Sequence, residues 1–89
     1  MSQVPTANDK LAQVENNFTY HKPFGNQPER YETIRSAAKE LAKTILANTP
    51  ASREQSVALT SLEEAVFWAN AAIARNEKDP SAGVASKAA

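Results

Sequence analysis

Arg30, Arg35 and Arg75, with Tyr20 and Tyr31, carry most of the chemical interest of this 89-residue chain. Arg35, Lys39 and Lys43 recur at every fourth position, so in a helix they line one flank. Arg75 closes a second helix-forming block, where its charge suits the negative end of the helix dipole. If the two blocks run antiparallel, Arg75 comes to lie near Arg30, Arg35 and the aromatic stretch FTYHKPFGNQ that begins at Phe18. A guanidinium is a planar fork that grips phosphate in two places, and an aromatic ring offers a face for a base. Gathered in one corner, these arginines and tyrosines would suit a nucleotide. The plainer reading of the basic row is a solvated helix face, partly neutralised by Glu32 and Glu40.

Catalysis finds less support. His21 is the only histidine and sits in a loop between Tyr20 and Lys22. No serine or cysteine motif makes it half of a nucleophilic pair, so a hydrogen-bonding surface group is expected. Glu63 and Glu64 are adjacent on a helix and diverge, which fits solubility or pairing with a basic residue of another chain. With no cysteine and one histidine, neither a thiolate zinc site nor any other metal centre is expected, and no cofactor is implied. Ten acidic and ten basic side chains cancel, unlike the basic excess of proteins that coat DNA or RNA polymers. No apolar run approaches a membrane span, and MSQVPTANDK lacks the layout of a secretory signal. A soluble intracellular binder, not an enzyme, is the expectation.

The elements that must position these groups are helical. Residues 1–17 form an N-terminal segment with a short helix near 10–16, capped by Thr6 or Asn8 and anchored by Leu11 and Val14. Residues 18–77 combine the aromatic loop with two helices over about 28–47 and 53–76, and 78–89 read as a flexible tail. The loop aromatics are expected to pack on the helices as a lid, or else to form a binding wall. Pro28 and Glu29 suit a first helical turn. Tyr31, Ile34, Ala38, Leu41 and Ile45 then alternate in steps of three and four, until Pro50 stops the helix. Ser52 and Gln55 make a capping box. Leu59, Leu62, Val66, Ala69 and Ile73 form the second stripe. Two stripes joined by a short turn predict an all-α fold: a short N-terminal helix followed by an antiparallel two-helix hairpin.

One hairpin seam does not use up the apolar surface of the second helix. Ala58, Ala65 and Ala72 recur every seven residues beside the seam, Val57 and Trp68 lie beyond them, and Phe67 faces the other flank. Such a helix is normally buried on more than one side. Alternatively, the N-terminal segment and aromatic loop could cover this surface within one chain. A chain this small, without disulfide or metal, is instead expected to gain stability by self-association, as a homo-oligomer with Ala58, Ala65, Phe67, Trp68 and Ala72 at the interface.

The run YHKPFGNQPERYETIR, then SREQS, then LEEAVFWANAAIARN, resembles the helical-hairpin domain of phage anti-CBASS proteins, with a related hairpin in phage anti-Thoeris sponges. The likeness spans roughly residues 18–77. It implies a compact homohexamer acting in the cytoplasm of an infected bacterial host. The assembly would sequester cyclic dinucleotides such as cyclic GMP-AMP in pockets between protomers, without cleaving them. Some family members also hold cyclic trinucleotides in separate pockets near the threefold axis, which the likeness does not assign to residues here. Carried over position by position, Tyr20 stacks on a base, Arg35 reads a base edge or phosphate, and Arg75 pairs with phosphate. Arg30 or Lys39 could take the part of Arg35, and His21 belongs to the same candidate set. Two other readings remain open. One is a ring-opening enzyme using His21 as acid or base. The other is a helical oligomerisation or protein-interaction module without a nucleotide ligand.

Overall fold

The computed structural model of the chain describes residues 7–80. It contains three helices, α1 (Ala7–Asn17), α2 (Gln27–Asn48) and α3 (Arg53–Asn76), with α2 and α3 packed against each other as a hairpin. Among the described residues no helix is long and apolar enough to cross a membrane. The expected cap Thr6 and most of the expected flexible tail lie outside the described residues. Asn8, the other proposed cap, is the second residue of α1 and so cannot cap its start.

Local chemistry sets the ends of the hairpin helices. Gly25 adopts φ 56°, a left-handed conformation open to glycine, and turns the chain into α2. Proline occupies the first turn of α2, where a missing amide hydrogen costs no helical bond. At the far end Thr49 leaves the helix with extended backbone, one residue before Pro50. The Ser52 Oγ accepts from the Gln55 amide at 3.1 Å. The second half of the expected capping box does not form. The Gln55 side chain instead donates to the carbonyl and hydroxyl of Thr49, both at 3.0 Å, and so ties the two ends of the turn together.

The seam follows the expected stripes with one correction. Ile34, Ala38 and Ile45 of α2 face Leu59, Leu62, Val66, Ala69 and Ile73 of α3, all at least partly covered. Leu41 is exposed, and Ala42 takes its place on the half-buried side. A step of four after Ala38 keeps a small residue where the helices approach, at a period near 3.6. The single chain builds little core. Ile73 is the one apolar side chain among the described residues that is buried, at 8% exposure. Leu11 and Val14 are exposed and do not anchor α1. Phe18 and Tyr20 are also exposed, Tyr20 at 82%, so these loop rings do not close a lid over their own hairpin. Phe24 is half-buried.

The open end of the hairpin is held by polar side chains. Gln27, 2% exposed, accepts from the Phe24 amide at 3.2 Å and donates to Glu77 at 3.0 Å. Arg30 grips the same carboxylate with both ends of its fork, at 2.9 and 2.6 Å. Start of α2, end of α3 and aromatic loop thus meet at Glu77. Hydrogen bonds from Arg30 and Gln27 hold the Glu77 carboxyl below its ordinary range. A depressed carboxylate contributes stability above its unfolded pKa, and that contribution is lost as pH falls through the folded value. Parent and Glu77→Gln proteins should therefore differ in thermal midpoint at neutral pH and converge on acidification below the usual carboxylate range. A difference that persists undiminished in acid would remove this clasp as its source.

Candidate functional site

Beside this clasp lies a cleft of about 470 Å³. The aromatic loop supplies Thr19, Tyr20 and His21, α2 supplies Tyr31 and Arg35, and α3 supplies Asn70, Ala71, Ala74 and Arg75. With Asn17 at the end of α1 completing the lining, two phenol rings, the His21 imidazole and two guanidinium groups meet where four segments converge. Tyr31 and Arg35 are four apart on α2, and Ala71, Ala74 and Arg75 are spaced three and four on α3, so each helix presents one face to the cleft.

The basic residues are in different electrostatic states. Arg30 does not line the cleft; its fork is spent on Glu77, whose carboxylate raises its pKa through direct hydrogen bonds. Arg35 lines the cleft but is ion-paired with Glu32, which also accepts from Ser36 at 3.0 Å. Arg75 has no carboxylate partner among the described residues; its guanidinium lies over the Trp68 ring, 5.8 Å from the centroid. Lys39 is away from the cleft. It borders a larger groove of about 650 Å³ that opens along the hairpin seam between Ala38, Ala42 and Leu46 of α2 and Leu59, Leu62, Val66 and Phe67 of α3. That groove is the bigger one but mostly apolar. Cations line both cavities, Arg35 and Lys39 beside Glu63 in the groove, Arg35 and Arg75 in the cleft; the cleft alone sets tyrosine and histidine rings beside them, and we therefore take it as the candidate site. Arg35 lines both and links them.

His21 is oriented by its neighbours. Its Nε2–H donates to the Asn16 carbonyl at 2.8 Å, which assigns the proton to that nitrogen and leaves Nδ1 for another partner. The Asn16 side chain donates in turn to the Arg75 carbonyl at 2.9 Å. One asparagine thus ties α1, the aromatic loop and the end of α3. Sequence reasoning missed Asn16 because its partner is 59 residues away and nothing local marks the contact. It missed Asn70 as well. The Asn70 Oδ1 is buried at the cleft wall with no hydrogen-bond partner, a condition that native structures seldom tolerate unexplained.

Of the expected interface residues, Ala58 is half-buried, while Ala65, Ala72, Phe67 and Trp68 are exposed. Phe67 (65% exposed) and Trp68 (66%) point to different flanks: one borders the groove, the other lies under Arg75.

A helical hairpin whose open end gathers aromatic rings and guanidinium forks has the chemistry to suit an aromatic anion. Comparison with known proteins gives the family: the model of the Acb2/Tad1 hairpin domain matches residues 10–74. The chain belongs to this family, the hairpin family of phage anti-CBASS and anti-Thoeris sponges. It is a family of cyclic-nucleotide sponges, which bind without catalysing a reaction. The match starts within α1, earlier than the resemblance visible from Phe18 onward. No curated protein and no solved structure matches the chain.

Proposed function

We propose that copies of this chain assemble and sequester cyclic oligonucleotides uncleaved, starving the CBASS effector of its signal. Cyclic dinucleotides such as cyclic GMP-AMP are the primary ligands in this reading, and cyclic trinucleotides occupy separate pockets. The observation that carries it is the meeting of Tyr20, Tyr31, Arg35 and Arg75 in one cleft, on a chain of a cyclic-nucleotide sponge family. A cyclic dinucleotide has two phosphates and two bases, often in near-twofold symmetry. A cleft completed by a second copy across a twofold axis offers each half the same groups. Tyr20, exposed on its own chain, stacks on a base; Arg75 and Arg35 hold phosphate; His21 Nδ1 is available to either. Lys39 acts at the edge of the site, and Arg30 supports it through Glu77.

Self-association is supported by the slender core and by the apolar surface around Phe67, Trp68, Leu46 and Leu11. A homohexamer is the favoured assembly. Titration of a panel of cyclic di- and trinucleotides by calorimetry, with mass measured in parallel, tests both parts. Nucleotide recovered after denaturation should be chemically intact; a linear product that His21→Ala abolishes would assign His21 a catalytic role instead. The apolar groove favours a second reading, a protein-interaction module, which predicts no thermal shift with any cyclic nucleotide.

Glu32 competes with the ligand for Arg35 in this scheme. Both partners of that pair are exposed, so the competition is weak, roughly 0.2–1 kcal/mol. Glu32→Gln is expected to tighten dinucleotide binding by at most about fivefold at low salt, with the gain fading as salt screens the site. Calorimetry at two ionic strengths checks it; weaker binding in the variant would argue that Arg35 needs Glu32 to be held in place.

A further inference from the structure

We infer that Trp68 is a positioning residue for ligand capture, holding the Arg75 guanidinium over its ring so that the N–H donors stay open to a phosphate in the cleft. This rests on the reading of the cleft as an anion site.

Arg75 lies in the last turn of α3, where the summed peptide dipoles make the helix end negative. An anion is unwelcome there unless a cation is held in front of it. Arginine is long and flexible, and an untethered side chain spreads over many rotamers. Two contacts tether this one. The Asn16 side chain donates to the Arg75 carbonyl at 2.9 Å and fixes the backbone. The Trp68 ring, seven positions earlier on the same helix face, takes the guanidinium at 5.8 Å, within cation–π range. The choice of partner matters. A carboxylate would consume the fork, as Glu77 consumes that of Arg30. An indole ring carries no carboxylate, so a cation–π contact holds the guanidinium without consuming its N–H donors in an ion pair. Arg75 is thus held without being neutralised, while Arg35 has to leave Glu32 before it can bind. Trp68 itself is two-thirds exposed, so its ring contributes little to the hairpin seam.

A double-mutant cycle tests this, with cyclic GMP-AMP as the calorimetric probe and sedimentation as the control for assembly. Trp68→Leu keeps apolar bulk but loses the ring face; it is expected to weaken binding about three- to fivefold, read at concentrations where sedimentation shows variant and parent in the same assembly. Trp68→Phe should restore most of that loss. In the Arg75→Gln background, Trp68→Leu should have no further effect. Equal losses in both backgrounds, or a loss that tracks dissociation of the assembly, would overturn the inference and return Trp68 to a purely interfacial role. If Arg75→Gln binds the probe as the parent does, the anion-site reading itself fails. A ligand-free measurement stands apart from both: Trp68 is the only tryptophan, so Arg75→Gln should alter its emission. An unchanged spectrum means there is no stack, and the inference falls whatever the protein binds.

Discussion

Phe67→Glu should leave the chain helical but convert the assembly to single copies, and with it abolish high-affinity dinucleotide binding. Phe67 is largely exposed on its own hairpin, at the border of the apolar groove, so the substitution removes little that holds one chain together. In the proposed assembly the same position would lie in a dry seam. Placing a carboxylate there without a partner costs on the order of several kcal/mol, repeated at every copy of the interface. Circular dichroism and sedimentation read the two consequences separately. Trp68→Glu, the change that the sequence alone suggests, is a poorer probe. It sets a carboxylate under Arg75 and disturbs the cleft as well as the seam. A Phe67→Glu protein that sediments like the parent would show that the groove is not an interface between copies. A dispersed variant that still binds cyclic GMP-AMP with parental affinity would show that one chain holds the whole site.

Tyr20→Ala is expected to weaken cyclic dinucleotide binding by about 1–3 kcal/mol, the usual contribution of one base stacked on an aromatic ring. That corresponds to roughly five- to 150-fold in dissociation constant. Tyr20 is 82% exposed and makes no contact that the hairpin depends on, so the effect should fall on affinity and leave the thermal midpoint of the free protein nearly unchanged. Tyr20→Phe keeps the ring and should bind within a few-fold of the parent. Parental affinity in Tyr20→Ala would transfer the stacking role elsewhere, to Tyr31 in the same cleft or to a ring of the second copy.

These two expectations share a physical cause. The single hairpin has one buried apolar side chain among its described residues, and its largest aromatic groups lie outside. Residues that a monomer would fold inward are here available to a second copy or to a ligand. The lid expected of the loop aromatics over the helices is not made by Phe18 and Tyr20. The loop is instead fixed by polar contacts, Gln27 to Phe24 and His21 to Asn16, which set its path without burying those rings. A loop held by its backbone and polar groups can offer its aromatics outward.

The helices, their order and their antiparallel pairing were legible in the amino-acid sequence, because the signals are local. Apolar steps of three and four, proline in the first turn of α2, Pro50 beyond its end and the Ser52 cap each act within a few residues. The family likeness was legible too, since its motifs sit on those same elements. The convergence of Tyr20, Tyr31, Arg35 and Arg75 follows once the hairpin is antiparallel, because direction alone brings the start of α2 to the end of α3. Which arginine remains available was decided only by the tertiary structure. Arg30 and Arg75 look alike in sequence, yet one meets Glu77 across 47 positions and the other rests on Trp68 with its backbone tied to Asn16, 59 positions away. Electrostatic partnership falls off over a few ångströms. No local pattern records which side chains a folded hairpin brings within that reach.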